Sequence, residues 1–387
     1  DIIIIAATVS STNIIYSRIK EMVPPRIKVL DLYGEVLNGK ELYRENTYWR
    51  KNINCLYSEV EPYEVISFDV FDTIIMRRVL KSEDIFTIVE SKCDEGILKE
   101  RFKKWRMEAE KTCTANNKIP SLDDIYELFG KKYYLEKEII NQLKQWEIEQ
   151  EKKCIIARDR MVDIYHYLVS CGKKVYFTSD MYLSSDVIQE LLKQCGIEDG
   201  YELLVSCELY ASKQDGSLFR RLKEIARREK ILHIGDHQVI DGVMAGKNGI
   251  DSFTILSSYD LLASSSCVHV FDCIHTQDDR NYLGYFASVM LNDPFALSKY
   301  TGKIFLSSYR DIALIIYPMT IMFLTYIIEN AKRYNCIIFP SRDGFFLYQL
   351  YNQIRNNKKE LGLPEAKYVY ASRMALSRAA ISNKKSF

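Results

Sequence analysis

The ten cysteines of this chain are scattered, with no Cys-x-x-Cys pair, and its five histidines form no cluster at zinc spacing. At 387 residues the protein does not depend on disulfide staples, so reduced thiols in a cytoplasmic setting are expected. Net charge of one sign is also missing: 53 basic against 52 acidic residues leave +1, and no global field draws the chain to nucleic acid or an anionic membrane. There is no basic leader. Asp1-Ile2-Ile3-Ile4-Ile5-Ala6-Ala7 is not a secretory signal and reads as a buried parallel strand entered at once, as in a fragment of a longer protein. The first sixty residues carry no Gly-rich phosphate loop, so no cofactor is assigned there. No internal repeat or low-complexity tract is present.

What is there is an ordinary globular balance, 47% hydrophobic and 27% charged, over a length that suits two or three domains. Residues 1–60 read as a βαβ-like fragment: a strand at Ile2 to Ala6, a helix at Asn13 to Met22 and a strand at Ile27 to Leu32. From residue 61 to 258, strands at Val65–Phe68, Val175–Thr178, Leu203–Ser206 and Ile231–Ile234 alternate with helices at Ser185–Lys193, Ser217–Arg228 and Val239–Lys247. That alternation predicts an α/β, doubly wound parallel sheet. It is interrupted between about 80 and 159 by helical periodicity, including a capped start at Ser121-Leu122-Asp123-Asp124. A helical insert at that point would lie over the strand ends as a lid. Residues 259–387 read as a separate C-terminal α/β domain of unknown role. Within it Ile312 to Ile328 is almost wholly apolar; it carries Pro318, is short for a bilayer and is expected to be a buried core helix, with no stable membrane span.

Two distant stretches read as one site. Ile66-Ser67-Phe68-Asp69-Val70-Phe71-Asp72-Thr73 is an apolar run ending in an aspartate that opens a polar turn, and Ile234-Gly235-Asp236-His237-Gln238-Val239-Ile240-Asp241 repeats the arrangement. Ligands of open parallel sheets bind outside the carboxyl ends of the strands, where such turns collect. Carboxylates gathered there repel unless a divalent cation neutralises them, and clustered hard oxygens suit Mg²⁺. Asp69 is the candidate nucleophile, since a carboxylate can attack a phosphate ester and split one hard displacement into two. Asp236 and Asp241 would hold the metal with Asp69, and position 71 would add its backbone carbonyl. A hydroxyl in Thr178-Ser179-Asp180 and the ammonium of Lys213 are groups suited to gripping phosphoryl oxygens.

This ordered set resembles the haloacid dehalogenase-like (HAD) superfamily across Val65 to about Phe253. The resemblance implies a Rossmann-like core with a helical cap inserted after the first motif, and Mg²⁺-dependent phosphoryl transfer through an aspartyl-phosphate on a small phosphorylated substrate. By position Asp69 matches the nucleophile, Lys213 the phosphate-gripping lysine, and Asp236 and Asp241 the metal-holding acids. Ser179 matches the hydroxyl, with Thr178 the alternative one register away. One departure matters. The pattern has a second aspartate two residues after the nucleophile, for proton transfer; here Phe71 stands there and the acid has moved to Asp72. Dehalogenases of the superfamily carry an aromatic residue at that position but lack the Gly-Asp metal acid kept here, so metal-dependent phosphoryl chemistry with a good leaving group is preferred. The alternatives are a non-catalytic phosphate-binding or scaffold module, and a metal-independent dehalogenase-like hydrolase.

Ser67-Phe68-Asp69-Val70-Phe71-Asp72-Thr73 with Arg77, and Ser179-Asp180-Met181-Tyr182-Leu183, resemble a branch of bacterial HAD hydrolases associated with capsule or lipopolysaccharide synthesis, sometimes fused to glycosyltransferases. Pro340-Ser341-Arg342-Asp343-Gly344 and Tyr370-Ala371-Ser372-Arg373 resemble its C-terminal half. Arg342 and Arg373, each after a Ser at a strand end, would suit a phosphate or carboxylate clamp, or an Arg-Asp pairing that fixes a loop. Arg77 and Arg106 would either grip substrate under the lid or form salt bridges, Arg106 with Glu108 or Glu110. His237 reads as a neighbour of the metal site and not as a ligand.

Overall fold

The computed structural model describes residues 2–374 apart from positions 8, 21, 25, 26, 33, 35, 36, 38–46, 94–96, 116–118, 228, 342, 372 and 373. Its first strand, β1 (Ile2–Ile5), is followed by α1 (Val9–Ile19) and β2 (Lys28–Asp31), which pairs parallel to β1. The βαβ-like reading of the N-terminus therefore holds in outline. Next, α2 (Ile53–Val60) is capped by Asn52, whose side chain accepts from Asn54 and Cys55, and it buries Leu56 and Val60 in the main core.

The main sheet starts at β3 (Val65–Asp69), buried along its whole length. A strand buried on both faces is read as a continuous apolar run, which Val65-Ile66 and Phe68 supply. A short strand β4 (Ile75–Arg77) then leads to the insert: α3 (Asp84–Ser91), α4 (Phe102–Ala115), α5 (Leu122–Tyr133) and α6 (Lys137–Cys154). The chain returns through β5 (Ile155–Ala157), antiparallel to β4, so the cap hangs from a two-stranded ribbon. The core resumes with α7 (Asp159–Ser170), β6 (Lys174–Ser179), α8 (Ser185–Gln194), β7 (Tyr201–Val205), the single turn α9 (Ser206–Leu209), α10 (Ser217–Ile225) and β8 (Ile231–Gly235). A π-helical turn over Gln238–Met244 runs into α11 (Ala245–Lys247) before β9 (Asp251–Thr254). Strand order is β7-β6-β3-β8-β9, all parallel, with Asp69 opposite Thr178 and Ser67 opposite His233. This is a Rossmann-like sheet with β3 at its centre, and the carboxyl ends of β3, β6 and β8 lie side by side.

The cap is built around a buried ion pair. Phe102, Ala109, Ile125, Phe129 and Leu143 make the apolar part, and Ser121 with Asp124 forms the expected capping box on α5. Arg106, fully buried, meets Glu147 through two bonds of 2.8 and 2.9 Å and Glu110 at 2.7 Å, and Tyr126 Oη donates to Glu147 at 2.8 Å. Of the partners expected for Arg106, Glu110 is present and Glu108 is not; Glu108 accepts from Tyr133 instead. Removing one partner of a buried pair strands the other charge, at a cost of about 3–5 kcal/mol. Glu147→Ala should lose that much in urea unfolding followed by fluorescence, since Trp105 and Trp146 both lie in the cap. A loss under about 1 kcal/mol would mean the pair is energetically idle.

The boundary expected at 258/259 falls instead between Phe305 and Leu306. Residues after β9 belong to the first unit because α12 (Ser258–Ser264) and α13 (Gln277–Met290) bury Leu261, Leu262, Leu283, Phe286 and Ala287. They also bond the cap ribbon. Arg280 forks onto Asp84 of α3 at 2.9 Å through both nitrogens, and the Asn292 side chain bonds Ala157 O at 2.8 Å and Asp159 N at 2.9 Å. A Cβ on Gly284 would collide with the backbone of Val79 and Leu80, so α13 approaches the ribbon more closely than any other residue would allow.

The second unit holds α14 (Tyr309–Ala331), β10 (Cys336–Pro340), α15 (Gly344–Asn357) and β11 (Glu365–Val369), with β10 and β11 parallel. The α/β character read there is present. The apolar helix is not the buried core element expected: it is long and apolar enough to cross a membrane, and only 11% of its apolar window is buried in the structure. Leu324 and Ala331 pack on the sheet side, whereas Ile316, Tyr317, Met319 and Met322 are exposed.

Candidate active site

Asp69 is the last residue of β3, and the turns at the carboxyl end of the sheet bring Lys213, Asp236 and Asp241 to its side. Lys213, in the turn after α9, is buried and its Nζ bonds Asp69 Oδ1 and, at 2.7 Å, Asp241 Oδ1. Asp241 sits in the π-helical turn after β8, a departure from α-helix often found at functional sites. Gly235 is required at the end of β8, because a Cβ there would collide with the Asp241 carboxylate. One oxygen each of Asp69, Asp236 and Asp241 lies within 4.8 Å of the others. The two distant stretches of sequence do converge.

The three carboxylates differ in what they have left to offer. Asp241 accepts from Lys213 and from His233 Nε2 at 3.1 Å on Oδ1, and from the His237 amide at 3.0 Å on Oδ2. That leaves it about one lone pair for a further ligand. Lys213 and His233 outweigh burial and hold its pKa well below the usual carboxylate range. Among the described residues Asp236 accepts one bond, from Thr73 Oγ1 at 3.5 Å, and burial together with Asp69 and Asp72 drives its pKa far up. Burial also lifts Asp69 to about 7 against the pull of Lys213. A site in which two neighbouring carboxylates resist ionisation has a deficit of positive charge. Hard oxygen donors with that deficit fit a divalent cation such as Mg²⁺, with Asp69 and Asp236 the open ligands and Asp241 behind them.

A buried polar chain fixes this geometry from below. Ser67 Oγ lies 3.0 Å from His233 Nδ1 and 3.3 Å from Thr178 Oγ1, linking three adjacent strands under the site. Thr178 is therefore corrected as a substrate-binding candidate: its hydroxyl faces Ser67 and the Phe68 carbonyl inside the sheet. Ser179, one residue on, lines the cavity, because successive strand residues point to opposite faces.

That cavity has a volume of about 900 Å³ and includes Asp69, Phe71, Asp72, Ser179, Lys213 and Asp236 in its wall, with Phe86, Met107, Glu110 and Lys111 closing it from the cap. Arg77 also reaches the wall, but its guanidinium is engaged by Glu151 through bonds of 2.8 and 3.0 Å and lies 4.3 Å over the Phe71 ring. It joins the cap to the turn after Asp69 and is not a free anion clamp. Asp72 adopts φ 57, left-handed for a non-glycine residue, and it lines the cavity although it stands one position late. Arg342 and Arg373 lie outside the described residues.

Several contributors were not singled out from sequence. Asp180 accepts from Ser212 Oγ at 2.8 Å, from the Lys213 amide at 2.8 Å and from the Gln214 amide at 3.2 Å, so it shapes the turn that aims Lys213. His233 had one signal, as the polar residue inside the buried run Ile231-Leu232-His233-Ile234. Glu147 and Glu151 had none beyond their place in a helical pattern.

No family model matches the chain, and no curated protein does. Solved structures resemble part of it. YfnB of Bacillus subtilis, assigned as a HAD-hydrolase and bound to magnesium, is 17% identical with a TM-score of 0.37, over 50% of this chain and 88% of its own. An L-2-haloacid dehalogenase from Xanthobacter autotrophicus is 12% identical with a TM-score of 0.37, over 55% and 87%. A hydrolase from Streptococcus pneumoniae is 16% identical with a TM-score of 0.32, over 52% and 96%. These likenesses are slight, and the fold stands on the strand order, the ribbon-hung helical insert and the convergence at the ends of β3 and β8. Those features make residues Val65–Thr254 a Rossmann-like α/β core that carries a helical cap insert.

Proposed function

We propose that the protein is a Mg²⁺-dependent phosphohydrolase or phosphotransferase that works through an aspartyl-phosphate on a small phosphorylated metabolite, such as a sugar phosphate. The observation that carries this reading is Lys213 bridging Asp69 and Asp241 beside Asp236, at the floor of a cap-covered cavity. Mg²⁺ held by Asp69, Asp236 and the main-chain carbonyl of Phe71, with Asp241 in support, would neutralise charge on the phosphoryl oxygens.

The chain's own residues supply the rest. The Asp69 carboxylate attacks phosphorus, the bond to the leaving oxygen breaks, and an acyl-phosphate forms on Asp69. Lys213 Nζ and Ser179 Oγ bind the equatorial oxygens as charge develops there. Water, or an acceptor hydroxyl in the phosphotransferase case, then attacks phosphorus and releases Asp69. With Phe71 where a proton donor would stand, the leaving oxygen departs best when it is already a weak base. The cap encloses these steps and keeps bulk water from the first of them.

The test is turnover of a phosphate-ester panel by the purified chain. Activity should require Mg²⁺, vanish with EDTA and fall by at least about 10³-fold in Asp69→Asn. EDTA-insensitive release of halide from a 2-haloacid, with the phosphate esters left intact, would favour the dehalogenase-like reading instead. A second reading, a phosphate-binding scaffold, draws on Phe71 itself: it expects Mg²⁺ and fluoroberyllate to bind without turnover. A cytoplasmic role beside a glycosyltransferase in bacterial surface-polysaccharide synthesis is proposed on the resemblance of the two motif stretches alone.

A further inference from the structure

We infer that Arg158 is a positioning residue for this chemistry: it fixes the turn after the nucleophile by its main chain and gives the acid cluster a second built-in positive charge. The role in catalysis rests on Asp69 being the nucleophile; the hold on the turn does not.

Arg158 stands where β5 hands the chain back to α7, and its side chain is fully buried. The other buried arginines of the first unit, Arg77 and Arg106, face glutamates. Arg158 has no carboxylate partner among the described residues. Its donors go to three main-chain carbonyls on three separate segments: Nη1 to Asp72 at 2.5 Å and to Leu256 at 3.0 Å, and Nε to Asn292 at 2.9 Å. Nη2 is buried with no hydrogen-bond partner. A lone buried guanidinium is costly, so an arrangement that spends it on peptide oxygens needs a reason.

The first of those carbonyls supplies one. Asp72 holds a left-handed backbone, φ 57, which a non-glycine residue keeps only when its surroundings over-determine it. Arg158 reaches that strained residue directly, next to Phe71, and ties it to the loops after β9 and α13. The charge has a second use. Arg158 adds its charge to that of Lys213 beside Asp69, Asp72, Asp236 and Asp241, whereas Arg77, which also acts on Asp72, is committed to Glu151. Burial lowers the guanidinium's pKa, and Tyr48, Asp72 and Asp236 oppose that.

Hydrogen exchange and steady-state kinetics on the full chain test this. Arg158→Gln should speed amide exchange over residues 70–76 at least tenfold. With Mg²⁺ and an aryl phosphate it should lower kcat at least a hundredfold and leave KM within threefold, because no substrate contact is removed. Arg158→Lys keeps the charge but cannot span three acceptors, so it should fall between, and it serves if the glutamine variant does not fold. Leu56→Ala, buried in α2 ahead of the sheet, is the control for general loosening; it should melt earlier yet keep kcat within threefold. Unchanged exchange over 70–76, or kcat within threefold in both arginine variants, overturns the inference. So does an equal loss of kcat in the Leu56 variant. Should Asp69→Asn retain turnover, the nucleophile reading fails, while faster exchange over 70–76 would still establish the clamp.

Discussion

Lys213→Met should unfold more readily than the parent chain by about 3–5 kcal/mol when metal is chelated, and should lose roughly 10²–10³-fold in kcat. The lysine is 3% exposed and bonds two carboxylates that are themselves largely buried. Without it Asp69 keeps the Val70 amide and Asp241 keeps His233 and the His237 amide, with no cation between the two carboxylates. A neutral side chain of similar length fills the volume, so the loss reports charge and not a cavity. Added Mg²⁺ should restore part of the stability, because a cation that binds the folded state and not the unfolded one shifts the equilibrium by mass action. Denaturant unfolding in EDTA and in Mg²⁺ measures both effects. Equal stability of variant and parent in EDTA would show that the ammonium is not holding the acids together.

The second large effect concerns the leaving group. Aryl phosphates should turn over about 10²–10⁴-fold faster than alkyl phosphates, the range a missing general acid commonly costs. Phe71 stands two residues after Asp69, and its ring is covered by the Arg77 guanidinium at 4.3 Å. No proton donor is available from that side chain, so an alkoxide leaves unassisted whereas a phenolate does not need help. Phe71→Asp should narrow the gap at least tenfold by raising the alkyl rate. A series of aryl and alkyl esters of graded acidity, read as log kcat/KM against leaving-group pKa, makes the comparison. A flat dependence in the parent chain would mean that some other group protonates the leaving oxygen, and Asp72→Asn would then be the variant to examine.

Much of the core was legible because its signals are local and repeated. Continuous apolar runs ending in Asp69, Ser179 and Gly235 mark buried parallel strands, and each ends where a site group is needed. The helical insert announced itself by a change of period and by the Ser121 cap. Choosing between Thr178 and Ser179 was beyond the sequence, since a one-residue step decides which hydroxyl faces the ligand and only strand register settles it. The partners of Arg77 and Arg106 were hidden for a different reason. Glu151 and Glu147 are 74 and 41 residues away from them, on a helix whose pattern reads as solvated. The misplaced boundary has the same origin: α12 and α13 are amphipathic helices, and nothing in their composition says which body their apolar side will join. The exposed face of α14 shows the limit of hydropathy, which measures what a segment would like to bury and not whether the fold buries it.

The grip of α13 on the cap and its ribbon constrains how the cavity can open. To lift, the roof over the cavity must first part the two-pronged Arg280–Asp84 contact, or else drag the whole helix along with it. The close seat of Gly284 on Val79 and Leu80 leaves no slack for a small rotation. Any opening of the cap is therefore resisted from a segment outside the cavity wall, lying beyond the last strand of the sheet.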